Sequence, residues 1–237
     1  MGYSTEELKK IAVNVRRGII EAVYNAQSGH PGGALSCTDI LVDLYFNEMN
    51  IDPKNPRMEN RDRFILSKGH ASPAIYSTLA NRGFFPVEEL KTFRKIDSFL
   101  QGHPDLNKVP GVDMTSGSLG QGLSVANGMA LAGRLDGKDY NVYVVMGDGE
   151  IAEGQIWEAA MSSAHYKLNK VIAFVDFNGL QIDGKVTDVM NVTPIKEKFE
   201  AFGWNTIEID GHNFDEIHNA VTKAKESKDK PTVIIAH

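Results

Sequence analysis

Two runs in the second half of the chain, NVYVVM (residues 141–146) and KVIAFVDF (residues 170–177), are apolar without clear alternation. A strand with one wet face alternates polar and apolar residues, so runs like these need cover on both sides. Between them lies the amphipathic segment GQIWEAAMSSAHYKL (154–168), and the pattern continues through PIKEKFEAFG, WNTIEID, FDEIHNAVTKAKES and PTVIIA. The sequence therefore predicts an α/β fold, a mainly parallel sheet with helices on both faces. PTVIIA is a complete strand at the end of the chain. Ligand sites in open α/β sheets lie beyond the carboxyl ends of strands, so contacts from a loop beyond His237 are expected.

The first half carries the helices that such a sheet needs. STEELKKIAVNVRRGIIEAVYNAQSG opens with a capping box, Ser4 and Glu7, and then repeats apolar residues at helical spacing, ending near Ser28-Gly29. A second helix is read from SCTDILVDLYFNEM, a short buried strand from RFILS and a third helix from KGHASPAIYSTLANRG. PVEELKTFR begins with Pro at a first helical position. GVDMTSGSLGQGLSVANGMALAGRLDG turns from loop to helix around Leu119, and its small residues (Gly122, Ser124, Ala126, Gly128, Ala130, Ala132) suit close packing against another helix or an ordinary internal position. No repeat, low-complexity tract or linker divides the chain, so residues 1–237 are read as one domain.

The net charge of −6 and the scatter of Lys and Arg argue against a nucleic-acid surface. The N-terminus has no apolar signal core and no run is long enough to span a membrane, so a cytoplasmic protein is expected. The single cysteine, Cys37, excludes an internal disulfide and reads as a small packed residue.

Chemistry concentrates where two polar turns follow the two apolar runs: GDGE (147–150) and FNGLQIDG (177–184). If the strands are parallel neighbours, Asp148 and Asn178 project at the same end of the sheet. With the Leu180 carbonyl they offer three hard oxygens, an incomplete set for octahedral Mg²⁺, whose other positions are usually taken by phosphate and water. Gly147 and Gly149 would let the backbone pass close to an anion, and the following helix would direct its N–H groups there. Asp and Asn beside Gly are also ordinary turn residues, which is the alternative. Three histidines, His30, His70 and His103, each follow a glycine that would clear room for a ligand; neutral imidazoles suit sugar hydroxyls, carbonyls or phosphate, or serve structural roles.

GDGEIAEG followed by FVDFNGLQIDG resembles the thiamin diphosphate signature, GDG and then an Asn about thirty residues on. SGHPGGALS, RDRFILSKGHASPAIYSTL, GHPD, GSLGQGLSVANGMALA and AFGWNTIEIDGHN are similar, in order, to the N-terminal, diphosphate-binding domain of transketolases. The resemblance implies the thiamin diphosphate-binding fold, with Asp148, Asn178 and the Leu180 carbonyl holding Mg²⁺, or Ca²⁺ or Mn²⁺ in its place. Gly149, Asn178 and His70 would touch the diphosphate, while Gly117, Ser118 and Leu119 would face the cofactor. His30 and His103 would contact substrate oxygens around the reacting carbons. Glu153 and Glu158 would join a buried carboxylate network between paired active sites; their alternative is a solvated helical face. His165, His212 and His218 are read as structural or exposed, and Glu150 is given no role.

The resemblance further implies transfer of a two-carbon ketol unit from a ketose phosphate to an aldose phosphate, in the pentose phosphate pathway. The pyrimidine-binding and C-terminal domains of the family are absent from these residues, and with them the glutamate that helps activate the cofactor. A C-terminal partner subunit carrying the pyrimidine-binding domain is therefore expected, in a dimer of heterodimers. The Met1 start and the lack of a linker favour a split enzyme over a fragment. His237 is not the family's further cofactor-contacting histidine, which lies beyond this segment. The alternatives are a 1-deoxyxylulose-5-phosphate synthase and a scaffold of the same fold that binds no cofactor.

Overall fold

The computed structural model describes residues 2–182 and 184–237; Met1, and Asp183 of the second polar turn, lie outside the described residues. In chain order the elements are α1 (Thr5–Ala26), α2 (Pro31–Ser36), α3 (Thr38–Asp43), β1 (Arg63–Leu66), α4 (Ser72–Arg82), α5 (Gly122–Leu135), β2 (Val142–Gly147), α6 (Gly154–His165), β3 (Val171–Asp176), β4 (Leu180–Gln181), β5 (Gly184–Lys185), α7 (Val186–Val189), α8 (Ile195–Ala201), β6 (Asn205–Ile209), α9 (Phe214–Lys225) and β7 (Thr232–Ala236). Five strands form one wholly parallel sheet in the order β1-β2-β3-β7-β6, and β4 and β5 make a separate two-residue antiparallel pair.

The sheet is covered on both faces, as its apolar strands require. Tyr143 and Val145 of β2, Ile172 and Phe174 of β3, and Ile234 of β7 face one core with α1, α3, α4 and α9. The alternate residues Val142, Val144, Met146, Val171, Ala173, Val175, Val233 and Ile235 face a second core with α5, α6 and α8. The alternation of a pleated strand thus assigns successive apolar side chains to two different cores.

Local chemistry sets several boundaries. Ser4 caps α1 and Glu7 returns to the Ser4 N–H, the reciprocal pair read from the sequence. The predicted second helix starts earlier, at Pro31, breaks at Cys37 and widens into a π turn over Leu44–Glu48. PVEELKTFR forms a 3₁₀ segment, Val87–Thr92, instead of an α-helix. Its buried anchors Leu90 and Phe93 are three residues apart, the spacing that one 3₁₀ turn brings to one side. Helix α5 begins at Gly122, three residues later than expected. It packs on α6, where Asn127 Nδ2 donates to the Ala159 carbonyl and Ser163 Oγ to Asn127 Oδ1, while Ser124, Gly128 and Leu131 remain exposed. Cys37 is fully buried, and burial pushes its thiol up to about 11. Among the described residues no helix is long and apolar enough to cross a membrane.

Candidate functional site

The register puts the two polar turns side by side. Gly147 at the end of β2 pairs with Asp176 at the end of β3, and the Asp148 N–H donates to the Asp176 carbonyl at 3.3 Å. Asp148 is only 2% exposed. Its Oδ1 accepts from the Gly149 N–H at 2.9 Å and its Oδ2 from the Gly179 N–H at 2.8 Å, so one carboxylate fastens both turns together. Asn178 Oδ1 accepts from the Leu180 N–H at 2.9 Å, and Leu180 is 62% exposed. Burial pushes the Asp148 carboxyl above the ordinary carboxylate range, against the pull of those two N–H donors.

The donor set suits a hard divalent cation. Each Asp148 oxygen and the Asn178 amide oxygen takes a single backbone N–H, leaving further acceptor capacity on all three atoms. A cation would also relieve the burial of the Asp148 charge. Two buried polar atoms, Ser116 Oγ beside the 117–119 loop and Gln181 Oε1 beside Gly149, lack hydrogen-bond partners among the described residues, as expected beside a polar ligand.

One expectation is corrected here. A 3₁₀ turn, Glu150–Ala152, separates the GDG turn from α6, which starts only at Gly154. The N–H groups that act at the turn are those of Gly149 and Gly179, and they act on Asp148. A Cβ on Gly149 would lie 2.9 Å from Gln181 Cγ, so its bareness accommodates a protein neighbour.

The histidines converge on the same end of the sheet. His30 and His70 stand edge to face with ring centroids 5.2 Å apart. A Cβ on Gly117 would lie 3.2 Å from His103 Cγ, so His103 backs directly onto the 117–119 loop. Burial, then the charges of Lys68, His30 and His103, lowers His70 to about 4, which makes it a neutral imidazole at pH 7. His103 is also lowered, chiefly by burial.

The glycines before these histidines do not clear space for a ligand. They admit the Val23 side chain at Gly29, the Ser116–Gly117 backbone at Gly69 and the Arg94 guanidinium at Gly102. The Gly69 contact is the consequential one, because it seats the turn bearing His70 directly against the 117–119 loop. Gly117, Ser118 and Leu119 are exposed, and the Leu119 carbonyl accepts from Gln155 Nε2 at 3.1 Å.

Sequence reasoning missed three charged groups beneath this surface. Lys68 and Asp176, 2% and 4% exposed, form a buried ion pair, with Lys68 Nζ also donating to the Gly33 carbonyl at 2.8 Å and Ser36 Oγ to Asp176 Oδ1 at 2.6 Å. Glu150 is 3% exposed; its Oε1 accepts from Ser67 Oγ and from the Gly120 N–H (2.9 Å), and its Oε2 from the Gly147 N–H (3.1 Å). A signal existed for Asp176, a lone carboxylate in an apolar run, which a buried strand tolerates only with a partner.

Glu153 and Glu158 are exposed on the outer side of α6 in the single chain. His212 and His218 are engaged elsewhere, with Asp39 (2.8 Å) and Glu48 (2.5 Å), and His165 packs on Tyr166. His237 lies against Phe177, with Nε2 3.4 Å from Glu208 Oε1. Asp43, Glu48 and His218 draw close enough to suggest a second cation site, but the Lys225 ammonium already pairs with Glu48 there. Two surface hollows of about 350 and 470 Å³ include none of the candidate site residues at the carboxyl ends of the strands.

Residues 8–237 match the family described as "Transketolase, thiamine diphosphate binding domain". The 6-deoxy-6-sulfo-D-fructose transketolase subunit SqwG of Clostridium sp. (strain MSTE9) is 46% identical over 229 residues, covering 97% of this chain and 83% of that one. An apulose-4-phosphate transketolase subunit from Phocaeicola vulgatus is 42% identical, covering 94% of this chain and 79% of that one. The crystal structure of transketolase from Campylobacter jejuni superposes with a TM-score of 0.92 at 36% identity, covering 99% of this chain but 38% of that longer one.

Proposed function

This chain belongs to the transketolase family, transferases that use thiamin diphosphate with a divalent metal, and from that premise we infer that it is the N-terminal subunit of a two-chain transketolase. Its 237 residues serve as one diphosphate- and metal-binding domain, and a C-terminal partner subunit supplies the pyrimidine-binding domain. The contrast in coverage supports the split: the chain accounts for most of two relatives named as subunits but 38% of a full-length transketolase. The observation that carries the site assignment is Asp148, whose carboxylate joins the GDG turn to the Asn178 turn at adjoining strand ends.

In this reading Asp148, Asn178 and the Leu180 carbonyl hold Mg²⁺, for which Ca²⁺ or Mn²⁺ can substitute. Gly149, Asn178 and His70 hold the diphosphate, and neutral His70 serves as a hydrogen-bonding group there without an added charge. Gly117, Ser118 and Leu119 line the cofactor's path toward the partner. When bound, thiamin diphosphate supplies the nucleophilic carbon and electron sink that cleavage beside a carbonyl requires. His30 and His103, at the open rim, orient the sugar's oxygens and stabilise the charge that develops on them. A two-carbon ketol unit is thereby moved from a ketose phosphate to an aldose phosphate, a reaction of the pentose phosphate pathway type in the cytoplasm.

Glu153, Glu158 and the exposed face of α5 meet a second copy in a dimer of heterodimers, which buries the two carboxylates between paired sites. The test is reconstitution. Ketol transfer should appear when this chain is mixed with its C-terminal partner and be absent from either alone. Transfer by the pure isolated chain would sink the split assignment.

A further inference from the structure

We propose that Glu150 is a positioning residue for the cofactor site: its buried carboxylate ties three separate turns into one rigid cradle. The inference rests on the functional reading above and adds a residue that makes no contact with the cofactor itself.

Three segments distant in sequence meet at this one side chain. Ser67 follows β1 directly, three residues before His70. Gly120 follows Leu119 at the entry to α5, and Gly147 ends β2 immediately before Asp148. Ser67 Oγ accepts from the Gly122 N–H at 3.1 Å, so its own proton is the one directed at Glu150. Three donors therefore converge on two carboxylate oxygens. Each of the three turns is adjacent to a group assigned to the cofactor: His70, Leu119 and Asp148.

The chemistry requires a carboxylate at this position. An ionised carboxylate accepts on both oxygens, whereas an amide of the same size presents an NH₂ group on one side. Glutamine would thus set a donor against the N–H of Gly147 or of Gly120, leaving a buried N–H unsatisfied. Burial raises the Glu150 carboxyl from its ordinary value, opposed by the three donors and then by the Lys68 ammonium. The surroundings of Gly120 leave the loop little alternative: its φ is +83°, and an added Cβ would lie 2.8 Å from Glu153 Cβ.

The experiment uses the reconstituted two-chain complex, with calorimetric titration of thiamin diphosphate in excess Mg²⁺ and a thermal melt of the cofactor-free complex. Glu150→Gln preserves volume and should weaken cofactor binding by about ten-fold or more, the factor that one unsatisfied buried donor implies. Its KM for both sugars should change by a smaller factor than its cofactor affinity, because His30 and His103 meet the Glu150 cradle only at second hand, by packing on His70 and on the 117–119 loop. Ser67→Ala, which removes one donor to Glu150 and the acceptor of the Gly122 N–H, should weaken cofactor binding in the same direction and serves if Glu150→Gln fails to fold. Adding Ser67→Ala to Glu150→Gln should cost less than the sum of the two single effects, since both act through one contact. Wild-type cofactor affinity in Glu150→Gln overturns the proposal, as does a loss of sugar and cofactor affinity in equal proportion. A wild-type complex that binds no cofactor overturns the functional reading along with it.

Discussion

Two titratable side chains give opposite pH signatures. Burial, and then the charge of Glu48, pushes the Asp43 carboxyl up to about 7, opposed by Asn47, His218 and Lys225. An acid whose folded pKa is raised adds stability at low pH that is lost as pH rises through about 7. Asp43→Asn should therefore raise the melting temperature at pH 8 and change it little at pH 4; equal shifts at both would refute the burial argument. His70 is the reverse case, lowered from 6.5 to about 4. Its neutral form is the stable one in the fold, so stability is lost as pH falls from about 6.5 toward 4, and His70→Asn should flatten the melting curve over that window. The placement of Asp148 and Asn178 at adjoining strand ends was legible in the sequence because each follows a buried apolar run. Glu150, Lys68 and Asp176 were not, because what defines them is a partner across the fold: Lys68 meets Asp176 over a separation of 108 residues.

At the scale of elements, periodicity and caps located the five strands of the main sheet and the longer helices but not α2, α7 or the β4–β5 pair, and the doubly apolar strands dictated the two-faced sheet. The departures came from packing. The 3₁₀ segment at Val87–Thr92 follows from the spacing of Leu90 and Phe93, and the π turn at Leu44–Glu48 lies where α3 ends against α4 and α9, contacts that no local pattern encodes. Helix α1 lies so close to α4 and to the 3₁₀ segment that a Cβ on Gly18 would collide with Ser77 Oγ of α4, which itself donates to the Val15 carbonyl, and lie 2.8 Å from Leu90 Cδ1. Gly18→Ala, favourable by helix propensity alone, should instead destabilise the chain by about 1–3 kcal/mol through overpacking. Urea unfolding measures this directly, and a more stable variant would show that the helices are free to separate.

For the whole molecule, the single chain leaves His30, His103 and the 117–119 loop exposed around the buried Asp148, and leaves apolar side chains of α5 and α6 uncovered. Leu131 and Leu135 on α5, and Met161 and Tyr166 at α6, are exposed near the exposed Glu158. Such a patch marks an interaction surface. Leu131→Glu should shift the reconstituted assembly to half its mass in solution, read by light scattering, and an unchanged mass would place the contact elsewhere. For Glu153 and Glu158 the sequence left a solvated face open as the alternative, and the fold decides it in the single chain by the side that α6 turns away from the sheet.

A metal–diphosphate clamp at the adjoining ends of β2 and β3 makes cofactor binding depend on both the metal and Asp148. Calorimetric titration of thiamin diphosphate into the reconstituted complex tests it most directly, with and without Mg²⁺ and with Asp148→Asn. Saturable binding that requires Mg²⁺ and is lost in Asp148→Asn is the predicted result. Binding of equal affinity in the variant, or binding indifferent to the metal, would contradict it.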